Sequence, residues 1–326
     1  MKRSFLFFAF AIFLFSCKKK EIPAVDYAAE MRAFVKEISA EARAVNPSFL
    51  IVPQNGVRLI TDDHHSNGVL DMEYINAIDG QGQEDLFFGF DQLNKATSEE
   101  DMDILSSFLD VLEENGKEVL VTDYCSSEEK ITKSYENNNV KSYISFASPD
   151  RKLIGIPDYP AKPYHENDED VEELAQAQNF LYLINPDKKH ASKDDFVAKM
   201  GETNYDLLIV DLFFNEEALT AEDVNLLKTK ANGGTRLVLC YMSIGEAEDY
   251  RYYWKEDWNK KKERPSWVYA ENKKWRGNYK VFYWEPEWKQ LIYGNEESYL
   301  TKIMEAGFDG TYLDIIDAYE YYLENK

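Results

Sequence analysis

GFDGTYLDIIDAYEYY, residues 307–322, lies at the end of a chain of 326 residues, and its reading decides the fold. Gly307 closes a helical pattern, and residues 311–316 form an apolar run rich in β-branched side chains, as a buried strand requires. Two carboxylates mark its exit, Asp314 within the run and Asp317 just past it. Acidic residues at the C-terminal end of a buried parallel strand sit on the rim where α/β barrels carry their chemistry. Asp317 has a second reading of equal weight, as N-cap of a helix starting at Ala318, whereas capping explains Asp314 poorly. A helix and a further strand would ordinarily follow. Only residues 318–326 remain, so the continuation is expected from elsewhere in the chain.

Working outward, a phrase of helix, glycine and apolar strand recurs as ENGKEVLVTDY (114–124), MGETNYDLLIVDLF (200–213), ANGGTRLVLCYMS (231–243) and EAGFDGTYLDII (305–316). Repeated helix-then-strand units predict a parallel sheet covered by helices. Near the other end, Met31, Phe34, Val35, Ile38, Ala42 and Val45 fall at helical spacing, so a helix is expected over 27–45, with Pro47 beyond it. A strand at 49–53 then leads into Gln54-Asn55-Gly56, and a second at 75–79 into GQGQED, which contains Glu84 and Asp85. Thr97 and Glu100 read as a capping box for the helix carrying Phe108 and Leu112, and the strand after it, 118–124, contains Asp123. With 180–184 and 281–284 the strands number eight, which predicts an α/β fold, a single (β/α)8 TIM barrel, with an open doubly wound sheet as the alternative. Residues 149–178, with four prolines and an acidic run, read as a linker; three strands before it and five after would make two awkward sheets, so one domain over 27–326 is expected.

Lys+Arg of 37 against Asp+Glu of 60 gives a formal charge of −23, which argues against nucleic acid or an anionic membrane as a partner for a basic surface. Residues 1–17 have the layout of an export signal: Lys2 and Arg3, an apolar run from Phe5 to Phe15, then Ser16 and Cys17. Leu14-Phe15-Ser16-Cys17 resembles a lipobox, so lipidation at Cys17, a tether over 18–26 and a lipid-anchored place in the cell envelope are expected, an ordinary signal peptide being the alternative. The other cysteines, Cys125 and Cys240, are too few for a disulfide framework.

Strand exits carry Asn55, Glu84, Asp123, Asp211, Glu246, Glu248, Asp314 and Asp317, and a closed barrel would gather them on one rim. Many carboxylates without a cysteine or histidine constellation suit glycoside hydrolysis, in which one carboxyl protonates the leaving oxygen and another attacks or activates water. No ligand set has metal-site spacing and no phosphate-binding glycine loop is present, so no cofactor is expected. In SIGEAEDYRYYW (243–254), Glu248 and Arg251 are three apart and could simply pair. All six tryptophans lie between Trp254 and Trp288, a plausible saccharide platform of which about two or three are expected to reach a ligand.

LVLCYMSIGEAEDYRYYW, WRGNYKVFYWEPEW and GFDGTYLDIIDAY resemble the first-half motifs of glycoside hydrolase family 114, the endo-α-1,4-polygalactosaminidase-like TIM barrels. FLIVPQNG, YINAIDGQGQEDLFFG and VLVTDY resemble that family's second-half motifs, so the order is reversed and the chain resembles a circular permutant. The helix over 27–45 would then be the one missing after Asp317. The resemblance implies hydrolysis within an α-1,4-linked galactosamine-containing polysaccharide, a cationic amino-sugar polymer. It places Asp314 and Glu84 at the catalytic carboxylates. Glu248 of the SxGxxE pattern, Glu246, Asp317, Asp211, Asn55, Asp123, Tyr241 and Trp284 are the candidates for substrate contact. A non-catalytic polysaccharide-binding lipoprotein and a hydrolase of another α-linked glycan are the competing readings.

Overall fold

Runs such as LLIVD and LVLCYMS are buried at every position in the computed structural model, which describes residues 20–326; the leader and Cys17 lie outside the described residues. A strand buried on both faces needs cover on both sides, and parallel sheets with helical crossovers supply it. We number the eight parallel strands β1 Leu50–Pro53, β2 Gly80–Glu84, β3 Glu118–Tyr124, β4 Ile144–Ser148, β5 Phe180–Leu183, β6 Leu207–Asp211, β7 Leu237–Ser243 and β8 Gly310–Asp314. One sheet runs β1-β8-β7-β6-β5 and another β2-β3-β4. A parallel bridge from Gln54 to Gly82 joins them at β1 and β2, while at the opposite seam the rings of Phe146 (β4) and Phe180 (β5) pack 5.8 Å apart. The architecture is mixed α/β with a parallel central sheet, consistent with a TIM-like fold.

Helix Tyr27–Val45 is capped by Asp26, whose side chain accepts from Ala29 N at 3.0 Å, and it buries Met31, Phe34, Val35, Ile38 and Ala42. It leads into β1, and β1 pairs with β8 so that Val52 lies opposite Tyr312. Its Tyr27 ring lies 5.6 Å from Tyr322 of the last helix, Ala318–Asn325, so the first and last helices meet beside the strands they flank. Residues on both sides of 149–178 share one hydrophobic core, to which that segment contributes Leu153, Val171 and Leu174. At the base of β6, the fully buried pair Lys230–Asp206, 3.0 Å apart, also accepts Asn167 from that segment.

Four expectations are corrected. Residues 75–79 are not a strand: Asp71 caps helix Met72–Ala77, and the strand is the next segment, Gly80–Glu84. GQGQE has poor strand propensity, but a Cβ at Gly82 would stand 2.0 Å from the Tyr312 hydroxyl, so tertiary space selects glycine there. Residues 281–284 do not form a barrel strand. Asn278–Val281 belongs instead to a small antiparallel sheet with Glu246–Glu248 and Val268–Glu271, and the strand overlooked is β4, ISFAS. The helix at Glu99–Glu114 is capped by Ser98, one residue later than expected, while the Thr97 hydroxyl donates to Asp85 O. Finally, β8 ends at Asp314 because Ile315 turns the backbone into the left-handed region, φ 60°.

Candidate active site

β8, β1 and β2 are neighbours, and their exits bring Asp314, Gln54-Asn55 and Glu84 together. Consecutive residues leaving β1 take one carboxylate each. Gln54 Nε2 donates to Asp314 Oδ1 at 2.9 Å, and Asn55 Nδ2 donates to Glu84 Oε2 at 3.0 Å. A tyrosine holds each remaining oxygen: Tyr241 donates to Asp314 Oδ2 at 2.7 Å, and Tyr124 donates to Glu84 Oε1. The Ile315 N–H adds a bond to Asp314 Oδ1 at 2.7 Å.

The backbone at these exits is bent in the same sense, with φ of 62° at Asn55, 57° at Asp85 and 60° at Ile315. A β-branched residue there is strained by about 1–3 kcal/mol, and its surroundings must hold it in place. Gly245 does so by close approach: a Cβ on it would lie 2.3 Å from Ile315 O and 2.7 Å from Ala318 Cβ. The glycine of the SxGxxE pattern is therefore a packing requirement of the turn that carries Asp314 and Asp317.

Burial and the charge of Glu84 push the Asp314 carboxyl up to about 8. Asp314 therefore holds its proton through neutral pH. Asp317 is pushed up to about 7 by burial, then by Glu320 and Glu84. It occupies the N-cap position of the last helix without making a capping bond, and no donor reaches its carboxylate among the described residues. Burial, and next the neighbouring carboxylate, raise the phenols of Tyr241 and Tyr124 well above their ordinary value, so both stay protonated donors.

Glu248, only 1% exposed, accepts from Arg251 Nε and from Tyr250 OH at 2.7 Å, while Arg251 forks onto Asp211 at 2.7 and 2.6 Å. The suspected Glu248–Arg251 pair exists, but on the short strand Glu246–Glu248 and the turn after it, not on a helix. Glu246 is held by Asn272 at 2.9 Å and Lys280 at 3.1 Å.

These groups line one cleft of about 870 Å³: Asn55, Glu84, Asp211, Tyr241, Glu246, Glu248, Asp314 and Asp317 all face it. Asp123 and Trp284 are placed elsewhere. Asp123 is fully buried, accepts from Phe87 N, Phe88 N and Ser134 OH at 2.9, 3.1 and 2.6 Å, and thereby shapes the loop after Glu84. Trp284 packs among Tyr27, Phe282, Tyr283 and Tyr322. Of the tryptophans only Trp275 lines the cleft among the described residues; in the core Trp267 packs edge-on against Trp258 and tilted against Trp288.

The sequence profile of glycoside-hydrolase family GH114 matches residues 160–326, just over half of the chain. The chain belongs to family GH114. Over 131 residues it is 40% identical to an uncharacterized protein of Methanocaldococcus jannaschii, covering 40% of this chain and 35% of the relative. An uncharacterized protein of Thermotoga maritima is 45% identical over 86 residues, 26% of this chain and 25% of its own, and one of Deinococcus radiodurans 35% over 116, 36% and 34%. The chain thus spans about a third or less of the length of the curated relatives it matches.

Several cleft residues of this GH114 chain escaped the sequence reading. Tyr124 is one, and strand alternation could have found it. In VLVTDY, Thr122 and Tyr124 share a face that Asp123 does not, and Thr122 is registered with Glu84. Gln54 could have been paired with Asn55, its neighbour at the same exit. Arg151, which also lines the cleft, comes from the segment read as a linker, and no local signal points to it.

Proposed function

We propose that the chain hydrolyses glycosidic bonds within a polysaccharide, with Asp314 and Glu84 as the reacting carboxyls. The observation that carries this reading is the matched pair: two carboxyls on strands separated only by β1, each fixed by one amide and one tyrosine, with Asp314 held protonated at neutrality by burial and by the charge of Glu84. One carboxyl protonates the leaving oxygen, and the other attacks the anomeric carbon or activates water. The substrate is an α-1,4-linked galactosamine-containing polymer, whose ammonium groups suit a cleft lined by Glu246 and Asp317. The scaffold is a circularly permuted (β/α)8 barrel; the adjacency of β1 and β8, with helices Tyr27–Val45 and Ala318–Asn325 side by side, supports that reading. Export and lipidation at Cys17 would place it in the cell envelope.

One observation favours a second reading, hydrolysis of a different α-linked glycan. Lys152, Lys274 and Arg276 line the mouth of the cleft, are exposed and make no salt bridge among the described residues, which disfavours a densely cationic polymer. Offering fully acetylated, partly deacetylated and neutral α-linked polymers and measuring new reducing ends separates the two. Preference for the partly deacetylated polymer supports amine recognition; equal cleavage of all three sinks it.

A further inference from the structure

Arg151 lies just after β4, at the start of the segment that joins the two halves of the chain, yet it reaches the cleft. Its guanidinium forks onto Asp85, Nη1 to Oδ1 at 2.7 Å and Nη2 to Oδ2 at 3.0 Å, and Nη1 also donates to Gly89 O at 3.0 Å. The same guanidinium lies 4.1 Å from the centre of the Tyr124 ring. Tyr124, 1% exposed, donates its hydroxyl to Glu84. The surrounding backbone is shaped to admit this stack. Gly89 has φ 122°, and a Cβ there would come within 2.1 Å of Asp85 Oδ1 and 2.9 Å of Tyr124 Cβ.

We propose that Arg151 is a positioning residue for the reaction: clamped on Asp85 and stacked on Tyr124, it fixes the Tyr124 hydroxyl on Glu84. This rests on the reading of Glu84 as a reacting carboxyl. Two effects follow from the geometry. A cation over the face of a phenol makes its O–H a stronger donor and holds the ring against rotation toward the cleft. The fork also neutralises Asp85, whose negative charge would otherwise stand next to Glu84 in the chain and oppose charge on it. The segment between the halves therefore contributes a working part to the site and is more than a tether.

The test uses the whole chain as Arg151→Gln, Tyr124→Phe, the double variant and Arg151→Lys, with two readouts. In hydrolysis, Arg151→Gln lowers kcat about 10- to 100-fold, the effect of losing one hydrogen bond to a charged group. KM stays within about twofold, because the lost interaction acts on the reacting group and not on the bound sugar. In the Tyr124→Phe background the same substitution costs distinctly less, leaving only the share that comes from an unneutralised Asp85 next to Glu84. Arg151→Lys recovers only part, keeping the charge without the fork or the stack. The second readout needs no substrate. In protein labelled with glutamate carboxyl ¹³C, the Glu84 resonance, assigned by its loss in Glu84→Gln, moves in Arg151→Gln in the direction it moves in Tyr124→Phe. Equal losses of kcat with and without the Tyr124 hydroxyl would overturn the proposal, as would a Glu84 resonance unmoved by Arg151→Gln. Should no glycan be cleaved, the resonance still judges Arg151, so failure of the hydrolase reading is told apart from failure of this one.

Discussion

Asp314→Asn should make the protein more stable in alkaline solution while abolishing its chemistry. The amide is isosteric: its oxygen still accepts from Gln54 and Ile315 N, and the Tyr241 hydroxyl rotates to accept from the new NH2. The Asp314 carboxyl stands at about 8 in the folded protein against 3.8 ordinarily, burial being the first cause and Glu84 the second. The folded state thus keeps a proton that the unfolded state has lost, so stability falls as pH rises from the unfolded value toward the folded one. Between pH 5 and pH 8 that loss is bounded at ~4 kcal/mol, three pH units at about 1.4 kcal/mol each. Coulombic coupling to the neighbouring carboxyl brings the expected figure to roughly 2–4 kcal/mol. Asp317, at about 7, and Asp123, at about 6, act in the same direction but are common to both proteins and cancel in the comparison. Urea unfolding of parent and variant at the two pH values measures the difference directly. The margin of the variant over the parent should be larger at pH 8 than at pH 5 by roughly that amount; an identical offset at both would refute the account of a buried carboxyl held against its charge.

Gly245→Ala drives a methyl into Ile315 O and Ala318 Cβ and should cost about 2–4 kcal/mol in urea unfolding; a neutral result would mean the turn is not held by that approach. Arg251→Met leaves Asp211 and Glu248 buried without their cation and should cost about 3–5 kcal/mol, with an unfolding midpoint near the parent's as the contrary outcome. Trp275→Ala removes the one tryptophan lining the cleft at 41% exposure; KM should rise about 5- to 10-fold with stability unchanged, and an unaltered KM would remove the ring from the binding path.

The strands buried on both faces could be read from sequence because a continuous apolar run has few other homes, and β3, β6, β7 and β8 fall where the repeated phrase places them. β2 was hidden because its residues are chosen by what they face: Gly82 leaves room for Tyr312, and Glu84 faces the cleft. β4 was hidden by the reverse, since ISFAS alternates and is short, while YKVFYW resembles a strand better yet belongs to the small antiparallel sheet. The strand count came out at eight only because these two errors compensated. Carboxylates at strand exits are visible as residue types, and Asn55 and Tyr241 were named beside them. Gln54, Tyr124 and Arg151 were not: they act through contacts with residues up to 260 positions away, as for Gln54 and Asp314, and for Gln54 and Arg151 spacing carries no trace of such contacts. The aromatic stretch misled for a related reason. Crowded rings pack on one another as readily as on a sugar, and Trp258, Trp267 and Trp288 are core.

The central claim is that Asp314 and Glu84 together break a glycosidic bond. Reducing-end release from partly deacetylated α-1,4-linked galactosamine polymer by the parent, Asp314→Asn and Glu84→Gln, each shown folded by its unfolding transition, tests it most directly. The account predicts release by the parent and loss of at least about a thousandfold in each variant, as removal of an essential acid or nucleophile gives. A variant retaining the parent's rate would contradict it, and a parent that binds the polymer while releasing no ends would make the cleft a binding site only.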